Sequence, residues 1–159
     1  MSEFMRGEFK VYLAGPISGQ SFAAAADWRK YAKQELFWAS EGRIEGISPL
    51  RYKEYLRDEK HIAESYEHIT LSSAKLITCR DRMDCKRSDA VLINVLDAKT
   101  VSIGTMIELG WAEELGKPIV LCMEKEGNPH DHPMVREVCP IRVYTIDQAI
   151  EMLWKVLLP

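Results

Sequence analysis

The sequence predicts a three-layer α/β fold around a mainly parallel, five-stranded sheet, of flavodoxin-like or related Rossmann-like order. Short apolar runs rich in β-branched residues alternate with longer segments of helical periodicity, the pattern of a parallel sheet with helices on both faces. The central run, Ala90 to Leu96, is almost continuously apolar, as a strand covered on both sides must be. Gly and Pro stand at the junctions, where the chain has to turn.

Each element has its own warrant. Phe9 to Ala14 reads as the first strand, stopped by Gly15-Pro16. From Phe22 to Trp38, Ala25, Trp28, Ala32 and Leu36 recur at helical spacing. A weak second strand is expected near Ile44 to Ser48. The polar stretch from Arg51 to Asp89 exceeds a simple crossover and should carry a helix near Ala63 to Leu76 plus a loop. Gly104 to Leu115 reads as a helix closed by Gly116 and Pro118. Ile119 to Met123 and Arg142 to Thr145 are the last strands. A terminal helix over Asp147 to Leu157, capped by Asp147, completes the chain.

The length of 159 residues fits a single domain, 1–159. Hydrophobic residues at 47% and charged residues at 28% are ordinary for a folded domain, which argues against disorder and coiled coil. The 21 basic and 24 acidic side chains leave a formal charge of −3, and a nucleic-acid polymer as main partner would call for a basic surplus. The four cysteines, Cys79, Cys85, Cys122 and Cys139, form no CxxC pair, so neither zinc-ligand spacing nor a redox motif is present. The start, MSEFMRGEFK, lacks the apolar core of a signal peptide, and no apolar run could span a bilayer. A cytoplasmic protein without a membrane partner is expected.

In parallel sheets ligands collect where strands end and helices begin. Three loops therefore matter: Gly15 to Phe22, Asp97 to Gly104 and Glu124 to Val135. The first, GPISGQ, lets a backbone come close to a ligand, but it lacks the lysine of a nucleoside triphosphate loop. On the loop alone, an ordinary strand-to-helix turn is the expectation. In SDAVLINVLDAKTVSIGTMIELG, Asp89 precedes the buried strand and Glu108 lies early in the following helix, whose macrodipole favours an ionised carboxylate. Ser102, Gly104 and Thr105 place small groups and free N–H donors at the same helix start. By residue type alone, a solvated carboxylate is the expectation for Glu108 and a plain N-cap for Ser102. Cys79, Arg80, Asp81 and Asp84 form a polar cluster for which capping and surface ion pairing are the expectation. Trp28, Trp38, Trp111 and Trp154 fall on helices, where packing is the default; only Trp111, one turn after Glu108, invites a ligand role.

VYLAGP, SDAVLINV and SIGTMIELGWAEELGKPIVL, in that order, resemble the nucleoside 2-deoxyribosyltransferase family, including its nucleoside 5′-monophosphate N-glycosidase branch. The resemblance implies cleavage of an N-glycosidic bond and transfer of the sugar to another base or to water. It implies that Glu108, in a GxxxE position before Leu109-Gly110, is the nucleophile, that Asp89 assists departure of the base, and that Tyr12 orients Glu108. Ser102, six residues before the nucleophile, stands where free-nucleoside transferases carry Asp and monophosphate hydrolases carry Ser. An Asp would repel a phosphate, whereas a hydroxyl beside helix N–H groups would accept it. Gly15, Ile17, Ser18, Gly19 and Gly104 would complete the phosphate cradle. A known hydrolase type carries Arg where Ser18 stands, so another cation is required, with Arg80 and Arg51 as candidates.

The resemblance further implies a homo-oligomer, at least a dimer, with Asn128 and His132 reaching a neighbour's site; the same stretch reads equally as a capping turn leading into a short helix at Pro133. It implies no metal and no organic cofactor. The expected activity is hydrolysis of a (2′-deoxy)nucleoside 5′-monophosphate through a covalent glycosyl-Glu108 intermediate. Base exchange on deoxynucleosides is the alternative, and a non-catalytic nucleotide sensor is a more distant one. A flavodoxin-like electron carrier would show a richer phosphate loop.

Overall fold

The computed structural model describes residues 7–159, and the reading of the first six residues lies outside it. Five strands, β1 (Phe9–Ala14), β2 (Ile44–Ile47), β3 (Ala90–Asn94), β4 (Ile119–Cys122) and β5 (Ile141–Val143), form one sheet of order β2-β1-β3-β4-β5. All four pairings are parallel. This is the flavodoxin-like order, and its direction reverses between β1 and β3, which opens a crevice at their carboxyl ends.

The alternation along β1 distributes the core between two layers. Tyr12 and Ala14 face α2 (Ala74–Arg87), α3 (Ile103–Glu114) and α4 (Pro133–Val138), packing with Cys85, Leu109, Ala112 and Val135. Val11 and Leu13 face the other way, against Ala32 and Leu36 of α1 (Phe22–Ala39) and Leu153 of α5 (Ile146–Leu157). Full burial of each valine or leucine among these is worth about 1.5–3 kcal/mol. β3 is buried at all five positions, as its composition predicts.

Side-chain caps set the helix starts. Ser21, Ser73, Ser102, His132 and Thr145 each accept from a backbone N–H in the first turn. Two of these caps correct the sequence reading. The helix expected near Ala63 to Leu76 begins only at Ala74, because Ser73 caps it. The preceding segment is irregular, with 3₁₀ turns at Glu54–Leu56 and Thr70–Ser72. Thr145, not Asp147, caps α5. Asp147 lies in its first turn and accepts from the Tyr31 phenol at 2.6 Å.

The irregular segment lies over the start of α1. Leu50, Leu56 and Ile62 pack there on Ala25 and Ala26, with Ile17 and Phe22 at the margin. Backbone bonds stitch it to the first loop: Gly19 N–H donates to the Ile62 carbonyl at 2.8 Å, and Ile62 N–H to the Gln20 carbonyl at 2.9 Å.

Candidate active site

Glu108 lies in the second turn of α3 and is only 7% exposed. The fully buried Tyr12 phenol donates to its Oε1 at 2.7 Å. From α2, the buried Asp81 brings a second carboxyl beside Glu108. Three elements thus converge on the α2/α3 side of the sheet, beside the β1/β3 crevice. Burial, then the neighbouring Asp81, pushes the Glu108 carboxyl up to about 8, opposed by the Tyr12 hydrogen bond and the positive Arg29. Burial also raises Asp81, to about 6, against the pull of Lys53 and Arg80. Tyr12 is held well above the ordinary phenol range by burial and by Glu108. Two carboxyls this close cannot both ionise readily, so near neutral pH the pair holds one proton between them.

Asp81 is the residue that sequence reasoning undervalued. Of the polar cluster only Cys79 is exposed; Arg80, Asp81 and Asp84 are buried on α2, so the expectation of surface ion pairing is corrected for them. Asp84, completely buried, takes a bidentate grip from Arg51 at 2.6 and 2.9 Å and a further bond from Arg87 at 2.8 Å. The Arg80 guanidinium donates to the Arg51 carbonyl at 2.8 Å. Both arginines proposed as phosphate cations are therefore engaged in pinning the segment after β2 onto α2. Lys53, on that segment, is also buried, and burial lowers its ammonium against the attraction of Asp81. A signal for Asp81 existed: Asp81, Asp84 and Cys85 share one helical face, at spacings of three and four residues.

Asp89 is not brought to this site. It precedes β3 at the amino edge of the sheet, where its carboxylate accepts from Lys10 N–H at 2.7 Å and its own N–H donates to the Lys10 carbonyl. Ligand crevices form at the opposite edge. The base-assisting role expected of Asp89 is corrected on that ground.

The first loop also differs from a simple cradle. Gly19 spends its N–H on Ile62 and takes φ +79°, so its amide is not free for an anion. A Cβ at Gly15 would lie 2.5 Å from the Asn94 carbonyl oxygen, so glycine here permits the close approach of β1 and β3. Ser18 is exposed at the loop tip, and Ile17 is half-buried. Across the crevice Ser102 caps α3, and its Oγ lies 2.8 Å from Thr105 Oγ1. Gly104 is exposed, with open space around it.

The third loop braces that helix start. Ser102 N–H donates to His130 Nε2 at 2.8 Å, which places the imidazole proton on Nδ1, facing Asn128 Oδ1 at 3.0 Å. The Asn128 amide in turn donates to the Val95 carbonyl at 2.7 Å and to Glu124 Oε2 at 2.6 Å. Asn128 is 8% exposed with both ends of its amide used inside its own chain, which corrects the expectation that it reaches a neighbour. His132 is exposed, and its Nδ1 caps α4 at Met134 N–H. His130, which sequence reasoning passed over, is the buried histidine of the pair. Burial lowers its pKa, in keeping with a neutral ring.

Among the described residues no three His, Cys, Asp or Glu side chains come together to hold a metal ion, and no helix is long and apolar enough to cross a membrane.

Known proteins share this fold. Solved structures with the same fold include a 2-deoxyribosyltransferase from Bacillus psychrosaccharolyticus, at 19% identity and TM-score 0.60, covering 89% of this chain and 90% of that one. The CMP N-glycosidase BcmB of Clostridium botulinum aligns at 19% identity and TM-score 0.52, covering 91% and 97%. A molybdenum cofactor binding protein from Rippkaea orientalis aligns at 14% identity and TM-score 0.60, covering 96% and 99%. No curated protein matches the chain in sequence. The family model described as nucleoside 2-deoxyribosyltransferase matches residues 11–139, a span that includes Tyr12, Asp81, Ser102 and Glu108. The chain belongs to the nucleoside 2-deoxyribosyltransferase family.

Proposed function

We propose that this protein hydrolyses the N-glycosidic bond of a (2′-deoxy)nucleoside 5′-monophosphate, with Glu108 as nucleophile and Asp81 as acid. The observation that carries the reading is the Tyr12–Glu108–Asp81 constellation, in which a buried phenol fixes one of two neighbouring buried carboxyls, both raised by burial. Members of the family act as deoxyribosyltransferases or N-glycosidases, so an enzyme is expected.

The chemistry follows that of retaining glycosidases. When substrate binds, the shared proton moves to Asp81 and leaves Glu108 as a carboxylate oriented by Tyr12. A Glu108 oxygen bonds to C1′ while the C1′–N bond breaks, its electron pair leaving with the base. Asp81 gives its proton to the departing base. The Asp81 carboxylate then takes a proton from water, whose oxygen attacks C1′ and releases Glu108. The pair ends with one proton, as it began, and two inversions retain the configuration.

Ser102 favours a 5′-phosphate over a free hydroxyl, because a neutral hydroxyl at the start of α3 accommodates an anion that an Asp would repel. Ser18, Ile17 and Gly104 are the neighbouring groups proposed to line the phosphate. Gly15 contributes by keeping β1 and β3 close. Base exchange on deoxynucleosides uses the same nucleophile and is the alternative. A binding protein on this fold would have no use for a nucleophile held by a buried phenol.

A homo-oligomer, at least a dimer, is proposed as well. Val101 ahead of α3, Ile103 and Ile107 on α3 and Met134 of α4 are 48–75% exposed, and a second copy would cover them. His132 lies beside this patch and is the remaining candidate for a contact with a neighbour's ligand.

The test is base release, followed by chromatography, over a panel of nucleosides, deoxynucleosides and their 5′-monophosphates, with and without an acceptor base. Free base from monophosphates alone supports the hydrolase. A new nucleoside formed only with acceptor moves the protein to base exchange.

A further inference from the structure

Glu124, Asn128 and His130 form a hydrogen-bonded chain that none of the steps above uses, and it grips the loop between β3 and α3 at both ends. At the β3 end, Asp97 N–H donates to Glu124 Oε1 at 2.6 Å. Asp97 takes φ +61°, a left-handed conformation that side chains disfavour and that this bond helps to hold. At the α3 end, Ser102 N–H donates to His130 Nε2 at 2.8 Å. Between the two, Glu124 Oε2 accepts from the Asn128 amide at 2.6 Å, and Asn128 Oδ1 accepts from His130 N–H at 2.9 Å.

The chain is satisfied in one protonation state of the ring. Ser102 N–H can only donate, so His130 Nε2 must keep a lone pair for it, and Nδ1 carries the proton toward Asn128 Oδ1 at 3.0 Å. A protonated ring would set N–H against N–H at Ser102. The charged group that acts on the ring is Glu124; burial lowers the ring below the ordinary 6.5, and Glu124 opposes it. Asp131, the next residue, is taken up by Arg136 of α4 at 2.8 Å and Arg142 of β5 at 3.5 Å. The bond to Ser102 is therefore intact at pH 7 and is lost as the pH falls through the ring's midpoint.

We infer that His130 is a positioning residue for the 5′ end of the substrate: it holds the Ser102 backbone, and with it the hydroxyl at the start of α3, through a bond that only the neutral ring accepts. The meaning for substrate rests on the function proposed above. The contact and its dependence on the ring proton do not, and they are tested without turnover.

In the substrate-free protein, ¹H–¹⁵N NMR follows the His130 ring and the Ser102 amide together. The expected result is a proton on Nδ1 at pH 7 and a Ser102 amide signal that titrates with the ring. A proton on Nε2, or a Ser102 amide indifferent to the ring, overturns the proposal. Kinetics then read the 5′ end. His130→Phe and His130→Leu remove the acceptor, whereas His130→Gln offers an amide oxygen that does not titrate. At pH 7 the two apolar variants should raise KM for a 5′-monophosphate about 5- to 10-fold with kcat within about twofold, as the loss of one hydrogen bond predicts, and His130→Gln should stay near the wild type. From pH 7 to 5, KM should rise more steeply in the wild type than in His130→Gln. Equal losses on monophosphates and free nucleosides, a fall in kcat alone, or parallel pH profiles in the wild type and His130→Gln leave His130 as a structural brace and overturn the proposal. If the apolar variants do not fold, the wild type against His130→Gln decides alone. If the wild type binds 5′-monophosphates but releases no base, the proposed reaction fails and the same contrasts are read from dissociation constants; absence of binding overturns both.

Discussion

Tyr12 and Glu108 stand 96 residues apart in the sequence and 2.7 Å apart at their oxygens. The contact joins the first strand to the helix after the third, across the pair of strands where the sheet order reverses. It fixes one carboxylate oxygen, and Asp81 meets the same carboxyl from α2. Tyr12→Phe keeps the ring in its fully buried place and removes only that donor. A hydrogen bond to a charged group contributes about 1.5–3 kcal/mol, so kcat should fall about 10- to 100-fold with little change in KM. Steady-state kinetics of base release, with circular dichroism to confirm the fold, checks it.

Asp81→Asn tests the second carboxyl. Loss of a general acid should lower kcat by about 10²–10⁴-fold for ordinary bases, and much less for a base that leaves readily without protonation. Asp89→Asn, altered at the other edge of the sheet, should leave kcat within about twofold, since Asp89 makes no contact with Glu108. Comparison of the two variants on good and poor leaving groups decides between the acids.

Stability should bear the mark of the buried acid pair. Glu108 is raised from 4.5 to about 8, and Asp81 from 3.8 to about 6. Between those limits the folded protein keeps protons that the unfolded chain has lost. The stabilising contribution is therefore complete below about pH 4 and declines as pH rises toward 8. Glu108→Gln removes the larger part of that dependence and should be the more stable protein at pH 8. Urea midpoints at pH 5, 6.5 and 8 measure it, and parallel slopes in the two proteins would count against the buried pair.

Much of this was legible in the sequence, because continuous apolar strands and Gly/Pro breaks report burial and turns directly. Glu108 and Tyr12 could be named from their motifs. Asp81 could not, since its burial depends on the irregular segment after β2, whose Arg51 pins Asp84 and turns that face of α2 inward. Asp89 attracted notice by adjacency to a buried strand, yet adjacency does not say which end of the strand faces the crevice. Asn128 departs from its expectation for a related reason: the resemblance assigns its loop to a neighbour's site, but a loop position does not reveal partners such as Val95 and Glu124.

Ser102→Asp addresses substrate class. A carboxylate at the start of α3 should repel a 5′-phosphate and accept a 5′-hydroxyl. The kcat/KM for monophosphates should drop at least about 100-fold, with less than about 10-fold change for free nucleosides. Equal losses on both would remove the phosphate argument, since they would reflect only the lost cap.

The central claim is a covalent bond between the sugar and Glu108, and intact mass measurement tests it most directly. The protein would be incubated with 2′-fluoro-arabino analogues of the 5′-monophosphates it cleaves, whose fluorine slows release of the sugar. The expected result is a mass increase equal to the fluorinated sugar phosphate, mapped by peptide digestion to Glu108 and absent from Glu108→Gln. Rapid release of base from those analogues with no adduct at any time would contradict the account, because water would then be attacking C1′ directly.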